Sequence, residues 1–593
     1  MTQVKDDYMV GLDIGTNSCG WVATDFQNNI LRLHGKNAIG SHLFEEGHSA
    51  ADRRMFRTTR RRIKRRRWRL NLLEEIFDPY IANVDPYFFA RLKASGLSTK
   101  DSSKKYESIV FPTIEEDKSF YQKYPTVYHL RKALMNENKK FDLREIFIAI
   151  HQIIKYRGNF LQDTPISDFN ASSIDVKNVL DILNEQYASL MPEYQISFSI
   201  ENAKEIEKII RDQTIFKQDK QKKISKLLPI VTKNKANSKI SKDVAKQIAN
   251  AILGYKTKFE TLLLNEIDKN DKANWEFKLG DADADNKLEL LLSSLNEAQQ
   301  NIILEIKELF SAITLSEIVD EGKTLSESMV RKYEDHKHDL KLLKRVINNL
   351  SDRQKGKRLS LAYDLYVNNR HGKLLDAKKT LGKKGCLSKE DFYAEVEKNL
   401  DDSKESGLIL NKINLDSFMP KQRTNENGVI PFQLHQIELD KIISNQGKYY
   451  PFLKEINPVA SHRNQAPYKL DELVRFRVPY YVGPMIAPEK TKDKQKQANQ
   501  SFAWMVRKEP GKITPWNFDQ KVDRMASANK FIKRMTTKDT YLLGEDVLPA
   551  NSLLYQKFTV LNELNNIRIN GKKIPVDCKQ QIFDKLFKNN GSV

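Results

Sequence analysis

The chain has 593 residues and a mass of 68.8 kDa, more than one hydrophobic core organises, so about three to five domains or lobes are expected. Its 40% hydrophobic and 30% charged residues describe a soluble, helix-rich globular protein, and a net charge of +21 with a pI near 9.4 calls for an anionic partner. No apolar run is long enough to span a membrane, the start MTQVKDDYMV lacks a signal-peptide layout, and Cys19, Cys386 and Cys578 are too widely spaced for a disulfide framework or a zinc site. The expectation is a cytoplasmic protein.

Residues 8–46 read YMVGLDIGTNSCGWVATDF, then a polar turn at Gln27-Asn28-Asn29, then ILRLHG, and predict a β-hairpin with a buried first strand. Asp13 is out of place there, because an acid inside an apolar strand must be paired, hydrogen-bonded or bound to a cation. Gly15, Thr16 and Gly20 tighten the following turn and let a phosphate or a metal approach the backbone. Two chemistries fit D-I-G-T-N-S-x-G. The loop holds nucleotide phosphates in sugar-kinase, actin and chaperone ATPases, whereas in nucleases of the ribonuclease-H-like fold the strand aspartate holds Mg²⁺ for phosphodiester hydrolysis. No second glycine-rich phosphate hairpin follows, and an arginine-rich stretch does, which favours the nuclease.

Residues 49–77, SAADRRMFRTTRRRIKRRRWRLNLLEEIF, predict one long helix with Ser49 and Asp52 as its capping pair. Phe56, Thr59, Ile63, Leu70, Leu73 and Phe77 recur at helical spacing and predict a thin apolar seam docked on protein. Between Arg53 and Arg69 stand ten Arg and one Lys with no acid, which is +11 of the +21 and leaves a remainder expected to be diffuse. Arg54, Arg57, Arg61, Arg65 and Arg69 step by three or four into a stripe, flanked by Arg60, Arg62, Arg66 and Arg67. Solubility is served as well by Lys. The guanidinium fork suits bidentate phosphate contact and base stacking, so the helix predicts a nucleic-acid partner.

From residue 78 on the pattern is helical. Phe141–Arg157 is a clear case, with Asp142 and Glu145 capping it, Leu143, Ile146, Phe147, Ile150 and Ile154 forming its buried face, and Gly158 stopping it. Read from the residues, Tyr156, Arg157, Asn159 and Phe160 are a C-cap with its packing. Asp281, Asp283 and Asp285 do not make a calcium loop, because Asn286 replaces the glycine and Leu292 the bidentate glutamate. His336 and His338, among Glu334, Asp335 and Asp339, read as a solvated helix face, since positions two apart do not face each other. Residues 489–500 are a charged, solvated loop. Tyr480, Tyr481, Trp504 and Trp516 lie among Arg475, Arg477, Arg507 and Lys508, which suits either a nucleic-acid channel or core packing.

GLDIGTNSCGW followed by the arginine helix resembles the start of the CRISPR type II RNA-guided DNA endonucleases, where a first RuvC-like segment precedes a bridge helix. KYPTVYHLRKAL (123–134), IKYRGNFL (154–161), SMVRKYEDHKHDLKLLK (328–344), KQRTNENGVIPFQLH (421–435), FRVPYYVGP (476–484), FAWM (502–505), ITPWNF (513–518) and SLLYQKFTVLNEL (552–564) are similar, in the same order, to that family's recognition lobe, most of all in its II-A branch. The resemblance implies a mainly α fold in six parts: a short β RuvC-like fragment (1–46), the bridge helix (47–77), recognition lobe (78–167), a variable inserted subdomain (168–319), continued recognition lobe (320–535) and the start of a further helical subdomain (536–593). It implies guide RNA (crRNA with trans-activating RNA) and target DNA as partners, in antiviral defence in a bacterial cytoplasm. It implies RNA contacts by the bridge-helix arginines and by Arg157, Asn159, Phe160 and Arg423, and a heteroduplex channel at Tyr480 and Trp516.

Asp13 is implied as a catalytic ligand to Mg²⁺, with Mn²⁺ as a substitute. The further RuvC-like segments, the HNH domain and the motif-reading domain do not follow, so the expectation is the N-terminal portion of such an enzyme, not competent alone, with the remainder as a possible separate chain. The alternatives are a non-catalytic guide-RNA-binding protein and an actin-like ATPase.

Overall fold

The computed structural model describes residues 7–45, 51–94, 107–161, 164–190, 192–230, 234–267, 272–367, 386–460, 465–485, 504–539, 542–549, 552–569 and 572–587. The expected cap at Ser49, the whole 489–500 loop and the start of FAWM lie outside them. The fold is mainly α with a few small sheets. The chain divides into two compact units, residues 1–71 and 72–593.

In the first unit β1 (Met9–Ile14), β2 (Ser18–Thr24) and β5 (Ile39–Leu43) form an antiparallel sheet in the order β1-β2-β5, between which β3 (Arg32–Leu33) and β4 (Lys36–Asn37) make a small hairpin. The turn into β2 closes with the Gly15 amide donating to the Ser18 carbonyl at 2.8 Å. The polar turn is organised by Asp25, which the sequence reading passed over: its carboxylate accepts from the Gln27 and Asn29 amides at 2.9 and 2.8 Å. The expected burial of β1 is not observed. All six residues are exposed, Leu12 at 61% and Ile14 at 73%. A strand apolar on both sides needs a layer on each face of its sheet, and within the described residues of the first unit these three strands carry none.

Helix α1 (Ala51–Ile81) is 31 residues long and runs through Pro79, four residues past the expected end. The expected apolar seam is buried only towards its C-terminus, at Leu73 and Phe77, where Leu72 and Ile81 join it; Phe56 and Ile63 are exposed. Four arginine-flanked turns leave too little apolar area for docking along the whole helix.

The second unit continues with α2 (Phe88–Ala94), α3 (Ile114–Lys123), α4 (Val127–Asn136) and α5 (Leu143–Lys155). The α5 N-terminus has the expected capping box between Asp142 and Glu145, and all five expected core residues are buried. Phe77 meets Phe147 and Phe452 edge-on at 5.4 and 5.1 Å, so the end of α1 is locked into this core.

Then come α6 (Val176–Leu190), α7 (Ala203–Arg211), α8 (Lys217–Leu227), α9 (Lys235–Ile252), α10 (Phe259–Leu262), α11 (Lys272–Trp275), α12 (Ala284–Leu292) and α13 (Glu297–Ile318), whose apolar faces share one core from Ile174 to Ile313. Beyond lie α14 (Leu325–Asn349), α15 (Arg353–Tyr366), α16 (Lys389–Asn399), α17 (Lys404–Asn414), α18 (Phe432–Gln446) and α19 (Lys469–Arg475). The first four of these pack around a further core, from Leu342 to Met419.

The histidine stretch of α14 keeps its expected solvated face at Glu334 and His338 but not at His336 and Asp339. The His336 ring bonds the Pro420 carbonyl at 3.0 Å and the Tyr363 hydroxyl at 3.2 Å, and Asp339 is fully buried, accepting from the Met419 amide at 2.8 Å and from Lys412. Helical spacing places residues on a face but does not reveal the loop at 416–420 that covers it. No helix among the described residues is long and apolar enough to cross a membrane.

Candidate nucleic-acid interface

The arginines of α1 divide by exposure. Arg53, Arg54, Arg57, Arg60, Arg62 and Arg67 are exposed, Arg61, Arg65 and Arg66 half-buried, and Arg69 buried. Burial, with Arg66 and Arg65 adding repulsion, pushes the Arg69 guanidinium down to about 10, still cationic at neutral pH. Arg69 is therefore not part of an open stripe. The others form a guanidinium surface whose like charges repel along the helix.

The second cluster gathers around the end of α5. Gly158 takes φ +82°, and a Cβ there would lie 2.6 Å from the Pro431 carbonyl carbon, so only glycine fits the crossing of the two segments. That crossing is fixed by the Asn159 amide donating to the Ile430 carbonyl at 2.9 Å and the Phe432 amide donating back to Asn159 at 3.0 Å. The Asn159 side chain donates to the Gly428 carbonyl at 3.0 Å. The Phe160 ring stacks on Phe432, 4.7 Å between centroids. Arg157 donates from Nη1 to the Val474 and Phe476 carbonyls at 2.7 and 2.6 Å. Arg157 and Arg477 sit over Phe160 at 4.7 and 5.2 Å, Arg475 over Phe432 at 5.5 Å, and Arg423 over Tyr156 at 5.8 Å. Arg157, Asn159, Phe160 and Arg423 thus come together, from segments more than 250 residues apart. Arg157, Asn159 and Phe160 do structural work there, as the C-cap reading expected, while the Arg423 and Arg477 side chains remain exposed.

Tyr480 and Trp516 are not equivalent. Tyr480 is 69% exposed, edge-on to Phe531 at 5.7 Å, while Trp516 is half-buried with the Lys469 ammonium 5.5 Å over its ring. Trp504 is buried, its Nε1 donating to the Tyr481 carbonyl at 2.5 Å, so for this residue the packing reading holds.

What sequence reasoning missed is a buried ion pair between α4 and α18. Arg131 of α4 pairs with Glu438 of α18, both fully buried. Glu438 also accepts from the Ser326 amide at 2.5 Å and hydroxyl at 2.6 Å. The pair crosses three helices, and no local pattern links residues so distant in sequence.

Asp13 stands opposite Gly20 in the β1–β2 register and is exposed, so the constraint inferred from its expected burial does not apply. Among the described residues no three His, Cys, Asp or Glu side chains are grouped to hold a metal. A lone exposed carboxylate does not fit a two-metal nuclease site.

Comparison with known proteins bears on both clusters. A family model described as the REC lobe of CRISPR-associated endonuclease Cas9 matches residues 175–593, and one described as the bridge helix of the same endonuclease matches residues 53–85. Curated proteins named CRISPR-associated endonuclease Cas9 are similar over nearly the whole chain. That of Listeria innocua serovar 6a is 34% identical, over 100% of this chain and 42% of the relative; that of Streptococcus mutans serotype c is 36% identical, over 99% and 41%. The chain spans about two fifths of the length of these relatives.

Proposed function

The chain belongs to the Cas9 family of CRISPR-associated endonucleases, and from that membership we propose that it is the guide-RNA-holding part of an RNA-guided DNA endonuclease acting in defence against foreign DNA. The observation that carries this reading is the arginine surface of α1, nine exposed or half-buried guanidinium groups along one helix. Such a surface grips phosphates along a structured RNA, while the bases are left free to pair with a target strand. Arg423 and Arg477, held over aromatic rings at the second cluster, supply further phosphate contacts. Tyr480 offers an exposed ring for stacking on the heteroduplex. In this reading the partners are a crRNA with its trans-activating RNA and, after pairing, target DNA, and residues 1–46 are the first RuvC-like segment.

Asp13 is then one carboxylate of a Mg²⁺ site, or Mn²⁺ in its place, completed by residues beyond those described, as on a second polypeptide. No cleavage step is assigned to this chain, because its described residues do not build the site.

The test is binding of the purified chain to a repeat-derived RNA hairpin against an unstructured RNA of equal length and charge. The reading requires the hairpin to bind at least about tenfold tighter, or about 1.4 kcal/mol. Equal affinity would leave only a general polyanion binder.

A further inference from the structure

The segment that leaves the second cluster and leads into α6 walls a cavity of about 510 Å³ with α6 and α13. Its apolar wall joins two cores. Val179 and Leu309 belong to the Ile174–Ile313 core, whereas Phe169 and Leu315 pack in the core of Leu325, Met329, Ile430 and Leu434. A seam between two packed bodies is a usual place for a small-molecule site, and this volume lies in the range of such sites. Thr164, on the rim, is tied to α18 by the Gln433 side chain, which donates to the Thr164 carbonyl at 3.1 Å.

The charge of this cavity is the reverse of the chain's. In a chain of +21 the ionisable side chains of its lining are all carboxylates, Asp168, Asp175, Glu305 and Glu308, and no lysine or arginine lines it. Among the described residues none of the four has an ion-pair partner. Asp168 accepts from the Ser167 hydroxyl at 2.9 Å and Asp175 from the Asn178 amide at 3.0 Å. Glu305 and Glu308 stand three apart on α13 as a like-charge pair. Burial, and then the Glu308 charge, raise the Glu305 carboxyl above its ordinary pKa. A cation in the cavity relieves that repulsion.

Helix α13 sets the pattern that a ligand must match. Glu305, Glu308, Leu309, Ala312 and Leu315 fall on one face, carboxylates at one end and apolar side chains at the other, along about 15 Å. A bare metal ion matches neither half. It gains nothing from an apolar wall, and among the described residues no three acidic side chains are grouped to hold one. A phosphodiester backbone is repelled by the four carboxylates. What fits is a chain of methylenes carrying several ammonium groups, with the methylenes on Phe169, Val179 and Leu309 and the ammoniums on the carboxylates.

We infer that this cavity is a binding site for an aliphatic polyamine, which bridges Glu305 and Glu308 of α13 to Asp168 and Asp175 of the segment before α6. The site is independent of the guide-RNA reading. Its occupant ties the segment that leaves the second cluster to α13.

The probe is spermidine, titrated calorimetrically into the full chain at about 0.1 M salt. One spermidine per chain should bind, and hexaamminecobalt(III), a cation of the same charge without methylenes, should bind at least about tenfold more weakly. This comparison needs no variant. Glu305→Gln with Glu308→Gln should weaken spermidine about tenfold or more and leave the melting temperature equal or higher, because a like-charge pair is removed. Glu289→Gln with Glu397→Gln, the same loss of charge at exposed positions that do not line the cavity, should leave the affinity unchanged. Absence of binding overturns the inference. Equal affinity for the two trications, or equal losses in the two variants, would reduce the effect to general counterion binding and overturn it as well. A trilysine peptide that binds more tightly than spermidine would make the occupant a protein segment and refute the polyamine assignment.

Discussion

Phe160 and Phe432 lie face to face, 4.7 Å between ring centroids and 11° between planes, and Arg157, over the first ring, donates to the carbonyls of Val474 and Phe476. One side chain thereby ties the end of α5 to the end of α19. Arg157→Ala should destabilise the protein by roughly 2–4 kcal/mol, the range for two charge-assisted hydrogen bonds, and Arg157→Lys should recover little because an ammonium lacks the fork. Urea denaturation reads this. A variant of undiminished stability that loses RNA would show that Arg157 acts on RNA and not on the fold.

The Arg131–Glu438 pair predicts a non-additive cycle. Glu438→Ala strands a buried guanidinium and should cost about 3–5 kcal/mol, whereas Arg131→Met together with Glu438→Leu should cost much less than the sum of the single changes. Additive losses would contradict the pairing. His435, 3.5 Å from Arg131 and fully buried, is held well below its ordinary pKa by burial and by that charge, so it stays neutral throughout the experiment.

Asp471 makes stability depend on pH. Burial, aided by the neighbouring Asp440 charge and opposed by donors at Tyr468 and Gln436, pushes its carboxyl up to about 7. The folded state therefore binds more protons than the unfolded chain between about pH 4 and 7, and stability from this group is lost as pH rises through that window. His151 acts in the opposite sense: burial holds it down to about 4, so its contribution is lost as pH falls from 6.5. The difference between wild type and Asp471→Asn isolates the first effect. Melting temperatures at pH 5 and 7.5 should fall further in wild type than in the variant, and parallel shifts would refute the assignment.

Asp13→Ala should leave affinity for a guide RNA within about twofold and the melting temperature nearly unchanged, because the carboxylate is exposed on β1 and outside the arginine helix. Loss of RNA binding without a change in melting would place Asp13 in the RNA interface and contradict its assignment to a nuclease centre.

The sequence exposed those features that local periodicity encodes. The arginine helix, the α5 capping box and its buried face all repeat within a few residues, and each is found where the pattern places it. Burial was less legible. The apolar run of β1 looks like a core strand, but strand burial depends on the layers around a sheet, which the run itself does not contain. Phe432, Glu438 and the loop over His336 were invisible for a related reason, since their partners lie 84 to 307 residues away. The +7 of α8 (Lys217–Leu227) and α9 (Lys235–Ile252) was countable from the start, yet it read as diffuse until the helix faces showed Lys235, Lys239, Lys242 and Lys246 gathered on one side of α9.

The most direct test of the account is the salt dependence of guide-RNA binding by the full chain. If six to eight phosphates are neutralised, log affinity against log salt should slope at about −4 to −7, and Arg57→Glu with Arg61→Glu and Arg65→Glu should flatten it by about 2 to 3. A wild-type slope near −1, or a charge-reversed chain that retains the full slope, would contradict an arginine helix that holds RNA.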